Sequence, residues 1–294
     1  MTDSLKNSAT KGVVIVTGAS AGIGKAIVRK LIAEGWTVYG GARRLNQMSD
    51  IASIGAKVLP LDVTDEASMS TFVSGVLAVE GRIDILVNNA GYGSYGAFED
   101  VPLEEAKRQF EVNIFGLARM SQLVLPVMRK QGAGRIINIS SMGGRIWSPF
   151  GAWYHATKHS VEVLSDLMSF ETRPFGVHTV VIQPGGIATE WGKIAAENLR
   201  TTSQNSVYRD NAALVADVLE HTQGAQPEVI ARAVSRAVNA KRPRRRYAAP
   251  FDAKFLIFLR WLLPEGAWAK TIWFMVKSAA MMTRKQRNAK TAKA

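Results

Sequence analysis

The chain has 294 residues, 47% of them hydrophobic and 21% charged, a globular make-up long enough to bury a substantial core. It has no cysteine, which excludes disulfides and thiolate metal sites, and its four histidines (His155, His159, His178, His221) show no ligand spacing, so no metal is expected. The net charge of +13 is concentrated: from Lys241 onward there are 14 basic and 2 acidic residues, against 23 and 22 in the first 240, so the basic signal belongs to one segment and not to the whole fold.

The opening MTDSLKNSATKG is polar and lacks the apolar run of a signal peptide, which predicts a disordered arm over residues 1–11 and a cytoplasmic protein. GVVIV at 12–16 reads as a buried strand ending in TGASAGIG, followed by a helical pattern over Lys25–Glu34 and a second strand in WTVYGGA. AKVLPLDV, an amphipathic Ala67–Val79 and the apolar IDILVNNAG continue the alternation. A helical Leu103–Met128, the strand RIINIS, a helical Ala156–Phe170 and the strand VHTVVIQPGG follow. Strands apolar almost throughout, separated by helix-length segments, predict a doubly wound α/β fold with a parallel sheet covered on both faces. Ile194–His221 is mixed helical and polar, fitting an excursion over a pocket near 190–225. A helix is expected over Pro227–Ala240, with proline in its first turn. KRPRRRY then breaks the order and opens a basic, aromatic-rich extension over 241–294.

Three stretches carry chemistry. TGASAGIG would let backbone N–H groups approach a pyrophosphate at the positive end of a helix, although a tight strand-to-helix turn would use the same glycines. At the tip of the second strand, where a carboxylate would bind an NAD ribose, the chain has Arg43 and Arg44. Guanidinium groups there would pair with a 2′-phosphate and favour NADP(H) over NAD(H), unless they are merely solvated. In YHATK, Tyr154 and Lys158 are four apart and share a helix face, so the ammonium is expected to lower the phenol pKa.

With TGASAGIG, NNAG at 88–91 and YHATK in this order, the chain resembles the short-chain dehydrogenase/reductase superfamily over roughly residues 12–190. The resemblance implies one Rossmann-like catalytic domain, here 12–240, with a largely seven-stranded parallel sheet, and hydride transfer with NAD(H) or NADP(H). It implies Tyr154 as general acid/base, Lys158 as its partner, Ser141 (Ser140 if the register slips) as the carbonyl-orienting serine, and Asn113 as a proton-relay residue. Cofactor contacts are implied for Gly18, Ser20, Gly22, Ile23 and Gly24 in the loop, for Asp62 and Val63 near the adenine, and for Asn89, Ala90 and Gly91. Pro184, Gly185, Ile187 and Thr189 complete the set, with Tyr154 and Lys158 also touching the cofactor. No implied catalytic position is missing, which argues against a non-catalytic dinucleotide-binding scaffold. An NAD-dependent alcohol dehydrogenase of the same family is the nearer alternative.

Trp147, Phe150, Trp153 and Trp191, with Tyr92 and Tyr95, suit a bulky lipophilic ketone or alcohol of steroid, retinoid or acyl type, or else ordinary core packing. The resemblance implies a homodimer or homotetramer, and Val161, Val163, Leu164, Leu167 and Met168 give one helix two apolar sides. FLIFLRWLLPEGAWAKTIWFMV is too interrupted to span a bilayer. It fits packing over the active-site mouth or on a second subunit, or peripheral membrane contact. Nucleic-acid binding by KRPRRR and RKQRNAK lacks any accompanying reading module.

Overall fold

The computed structural model describes residues 10–221 and 224–291, with side chains described as far as Met282. The disordered arm expected over 1–11 falls almost wholly outside these residues. Strand β1 (Val13–Thr17) leads into α1 (Gly22–Ala33), and β2 (Thr37–Ala42) into a short turn and α2 (Ser49–Ala52). Next come β3 (Lys57–Pro60), α3 (Glu66–Glu80) and β4 (Ile85–Asn88). The expected single helix after it is α4 (Leu103–Phe110), a π-helical segment (Glu111–Gly116) and α5 (Leu117–Gln131). Then follow β5 (Gly134–Ile139), α6 (Ala152–Thr172), β6 (Val177–Pro184), the pair α7 (Trp191–Thr202) and α8 (Arg209–His221), and α9 (Glu228–Asn239). The chain closes with β7 (Arg246–Ala249), α10 (Phe251–Leu262) and α11 (Glu265–Thr291).

All pairings are parallel, in the order β3-β2-β1-β4-β5-β6-β7. Alternate side chains on each strand face opposite ways, and the sheet buries both. Val14 and Val16 of β1 join a core with Ile27 and Leu31 of α1 and Val234 and Val238 of α9. Val13 and Ile15 join the other, with Phe72 and Val76 of α3 and Met120 and Val124 of α5. That is the doubly wound architecture the alternating pattern predicts.

The seventh strand comes from an unexpected place. It lies within the basic stretch read as breaking the order, six residues past the expected domain end at Ala240. Arg246 explains why so charged a segment joins the sheet: its guanidinium pairs with Glu162 at 2.8 Å and Asp166 at 2.7 Å on α6. Glu162 is buried, and Gln183 of β6 donates to its other oxygen at 3.0 Å. The extension also packs inward. Trp268 is fully buried beside Ile146 and Ile272, its indole N–H donating to the Trp147 carbonyl at 3.3 Å.

Candidate active site

The loop between β1 and α1 has the shape its glycines allow. Gly18 and Gly22 adopt φ of +67° and +51°, in the left-handed region. At Gly24 a Cβ would collide with the Gly18 carbonyl and the Asn89 amide. No side chain caps the start of α1, leaving its first-turn N–H groups facing this loop. Ser20 is buried and Ile23 half-buried against the first core. Asn89 proves to be the loop's brace: its amide donates to the carbonyls of Thr17 at 2.9 Å and Gly18 at 3.1 Å. The Thr17 hydroxyl accepts from the N–H groups of Asn89 at 3.0 Å and Ala90 at 2.9 Å.

Arg43 and Arg44 follow β2 as exposed side chains, and neither forms a salt bridge among the described residues. Arg43 lies near enough to act electrostatically on Asp62. Burial would raise the Asp62 pKa, but hydrogen bonds from the Thr64 N–H and hydroxyl, with the Arg43 charge, hold it below the usual value. Val63 sits across from Gly116 of the π segment, where a Cβ would meet the Val63 carbonyl at 2.5 Å.

The second half of the site is built on α6. Tyr154 and Lys158 stand on one face, the ammonium 6.0 Å from the ring centroid and donating to the Ile139 carbonyl at 3.0 Å. Ser141, at the end of β5, is hydrogen-bonded to Tyr154 and accepts from the Gly143 N–H at 3.0 Å. Ser140 instead is buried, its hydroxyl donating to the Lys158 carbonyl at 3.4 Å. The register therefore brings Ser141 to the tyrosine and not Ser140.

The electrostatics differ from the expectation. Burial pushes Tyr154 up to about 12, opposed by the Ser141 hydrogen bond, and pushes Lys158 down to about 8, opposed by the Glu162 charge one turn away. The expected lowering of the phenol pKa is overturned because desolvation of a fully covered ring outweighs its neighbours. The phenol thus holds its proton, and the lysine stays mostly protonated near neutrality.

Asn113 lies in the π segment. Its amide donates to the Tyr92 carbonyl at 2.9 Å and the Thr157 hydroxyl at 3.1 Å, and its carbonyl accepts from the Tyr92 N–H at 3.0 Å. With both amide donors engaged, a relay role would fall to its backbone. Gly91 sits beside it, where a Cβ would approach the Asn113 oxygen at 3.0 Å and the Lys158 ammonium at 3.7 Å.

After Pro184 the loop is held from the extension. Asp252 of α10 accepts from the Gly186 N–H at 2.8 Å, and Gly185 donates to the Ala249 carbonyl at 2.9 Å. Ile187 bridges to Ala225, and Thr189 faces Gly22, where a Cβ would stand 3.1 Å from its methyl. The expected residues of the crevice therefore converge at the carboxyl ends of β1, β4, β5 and β6. That is where ligands bind in open α/β sheets.

Of the aromatics, Trp191 packs on Tyr154 with centroids 5.2 Å apart, and Tyr95 on both at 5.7 and 5.8 Å. Phe150 joins this cluster with Val276 and Trp273 of α11. Trp153 is not part of it: it stacks on Phe98 at 5.5 Å and meets Phe110 edge-on. Tyr92 turns away to Glu105, to which its hydroxyl donates at 3.0 Å. A cavity of about 670 Å³ beside the cluster is lined by Phe150, Tyr208, Trp147, Ala97 and Trp273.

His155 was not singled out for the site, yet it holds its rim. Its Nε2 accepts from the Ser148 N–H at 3.0 Å, so Nδ1 carries the proton and donates to the Gly143 carbonyl at 2.9 Å. Burial pushes its pKa down to about 4, keeping it neutral. Its place inside YHATK was visible. Its partners, 7 and 12 residues earlier across a loop, were not.

Comparison with known proteins agrees with this fold. Residues 12–200 match the short chain dehydrogenase family model. A 3-ketodihydrosphingosine reductase of Bacteroides thetaiotaomicron is 35% identical over 235 residues, covering 79% of this chain and 85% of that one. An NADPH-dependent 3-dehydrocapnine reductase of Ornithobacterium rhinotracheale is 32% identical over 264 residues, 85% of this chain and 92% of its own. The crystal structure of a short-chain dehydrogenase from Streptomyces avermitilis superposes with a TM-score of 0.73 at 31% identity, over 94% of this chain and 98% of that one. Solved structures of the same fold hold NADP in some cases and NAD in others. The chain belongs to the short-chain dehydrogenase/reductase family: it is a dinucleotide-dependent oxidoreductase acting on CH–OH and carbonyl groups.

Proposed function

We propose that the protein is an NADP(H)-dependent reductase of a bulky lipophilic ketone, interconverting it with the secondary alcohol. The observation that carries this reading is the hydrogen-bonded Ser141–Tyr154 pair with Lys158 beside it, packed on an aromatic cluster whose Phe150 and Trp273 also line an apolar cavity. The glycine cradle fits a dinucleotide, since Gly18 and Gly24 let the loop fold tightly where any Cβ would collide with its own backbone or with Asn89 and Ala90, and the uncapped start of α1 offers N–H donors to a pyrophosphate. In this assignment Gly18, Ser20, Gly22, Ile23 and Gly24 hold the phosphates. Asp62, Val63, Asn89, Ala90 and Gly91 border the adenosine, and Pro184, Gly185, Ile187 and Thr189 border the nicotinamide. Arg43 and Arg44, exposed and without a salt bridge among the described residues, meet the 2′-phosphate. The cofactor, when bound, supplies the hydride to the carbonyl carbon.

Ser141 and Tyr154 donate hydrogen bonds to the carbonyl oxygen and stabilise the charge that develops there. Because burial keeps the phenol protonated, Tyr154 enters the reductive direction in the form a general acid needs. The Lys158 ammonium stabilises the negative charge left on the phenolate as the proton leaves. Asn113 positions the Tyr92 backbone and Thr157 beneath this pair. Two relatives named for NADPH-dependent or keto-group reduction support both direction and substrate class.

The same reading extends to assembly. Exposed Val163, Leu167 and Phe170 on α6 and Phe115 beside it form an apolar face suited to a homodimer or homotetramer. No helix of the described residues is long and apolar enough to cross a membrane. The extension's exposed aromatics and positive charge fit peripheral contact with one. Fluorescence titration with NADPH and NADH, on wild type and Arg43→Ala, tests the cofactor assignment. Tighter NADPH binding that Arg43→Ala weakens is expected. Equal affinities, or a preference for NADH, would turn the assignment towards the NAD-dependent alcohol dehydrogenase.

A further inference from the structure

The outer side of α10 is left bare. Phe251, Phe255, Phe258 and Leu262 recur at helical spacing and, with Trp261, are all exposed, Phe251 by 76% and Trp261 by 77%. Phe251 stacks on Phe255 and Phe258 leans on Trp261, two ring pairs set along one apolar stripe. Beside it opens a second groove of about 670 Å³, walled by Trp147, Phe258 and Trp261 and ringed by Arg145, Lys254 and Arg260. Arg145 and Lys254 form no salt bridge among the described residues. Arg260 donates to the Leu263 carbonyl at 3.2 Å, and its one salt bridge among the described residues is to Glu265, at 3.5 Å on a strongly exposed carboxylate.

We propose that this groove holds the phosphate headgroup of an anionic lipid and that the α10 stripe seats the protein on an anionic bilayer surface. The assignment rests on reading the extension as a membrane-contact surface. Aromatic rings at headgroup depth beside Lys and Arg are the arrangement an interfacial helix uses. Three cations converging on one apolar-walled groove match a single phosphate bearing an acyl tail. A second copy of the chain fits this face poorly. A two-fold contact through it would set Arg145, Lys254 and Arg260 against their own copies, with one carboxylate per chain to offset them. Trp147 lines both this groove and the cavity beside Phe150 and Tyr208, so the headgroup site adjoins the space assigned to the lipophilic substrate.

The test is flotation of the full chain with vesicles of phosphatidylcholine alone and of phosphatidylcholine mixed with phosphatidylglycerol. Wild type is expected to float with the mixed vesicles and only weakly with the neutral ones. Each cation near an anionic surface strengthens binding several-fold, so the double variant Arg145→Gln, Lys254→Gln should bind mixed vesicles about 30-fold less tightly. Phe258→Ala with Trp261→Ala should weaken binding to both kinds. All variants should keep the wild-type thermal midpoint and NADPH affinity, because none of these side chains touches the cofactor crevice. If the aromatic variant loses binding while the charge variant does not, the headgroup site is wrong and the contact surface stands. If wild type floats with neither vesicle, the surface is wrong too. A fall in the oligomer mass of the aromatic variant on sizing would then assign the face to a contact between copies. Neither failure touches the oxidoreductase reading, which is read separately by NADPH turnover.

Discussion

The glycine loop at residues 17–24 and the extension after Lys241 are opposite kinds of sequence. In the loop the chemistry is met close by: positive φ at Gly18 and Gly22 and the uncapped start of α1 all lie within eight residues. In the extension the side chains that tie it to the body find their partners far away. Arg246 pairs with Glu162 across 84 residues, Asp252 with Gly186 across 66, and Trp268 with Trp147 across 121. A motif can be read where its function is local. A segment whose partners are distant looks like an appendage until it is folded.

The largest test of this contrast removes the chemistry from the local side. Tyr154→Phe should lower turnover by about 10²–10⁴-fold, the usual contribution of a general acid, while NADPH affinity stays near wild type. Retained turnover would strip the motif of its assigned role. Next comes the extension's ion pair. Arg246→Ala should cost about 4 kcal/mol in denaturant unfolding, because it leaves Glu162 charged and buried without its partner. Adding Glu162→Gln should recover much of that loss. A cost within about 0.5 kcal/mol would return the extension to the status of an appendage.

His155 sharpens the comparison from inside the local motif, since its partners are not local. Its folded pKa of about 4 lies below the ordinary 6.5, so the unfolded chain binds the extra proton between those values. Its contribution is therefore full above pH 6.5 and is lost as pH falls towards 4, about 3 kcal/mol in all. Urea unfolding across that window should show the slope, and His155→Gln should flatten it. An unchanged slope would mean that other groups carry the acid sensitivity. The smallest expected effect is at Asp252. Losing its acceptor for the Gly186 N–H should cost about 2 kcal/mol in Asp252→Ala and weaken cofactor binding, since that loop borders the assigned nicotinamide site. Titration with NADPH reads the second effect separately from stability.

Several features were legible for identifiable reasons. β1, β4 and β6 are runs of buried β-branched and aliphatic residues, which only a doubly covered parallel sheet accommodates. Tyr154 and Lys158 share a face because helix geometry requires it. The helix expected over Leu103–Met128 is interrupted at Glu111–Gly116, and the reason is tertiary: Asn113 turns inward to Tyr92 and Thr157, and Gly116 lies against the Val63 backbone. β7 was hidden because Arg246 looks solvent-seeking until Glu162 and Asp166 are set opposite it. Trp153, grouped with the pocket aromatics by proximity to Tyr154, points to Phe98 and Phe110 instead, as adjacent helix residues face different directions.

By itself the sequence determined the alternation of buried strands and helices, the cradle shape of the first loop and the pairing of Tyr154 with Lys158. Each follows from side-chain period, backbone freedom or helix spacing, which act over a few residues. Tertiary structure alone decided that Ser141 and not Ser140 meets the phenol, that burial raises the Tyr154 pKa against its neighbours, and that the basic tail completes the sheet. Those outcomes depend on what is packed around a group. Desolvation and long-range pairing are set by the whole fold, not by the residues that flank them.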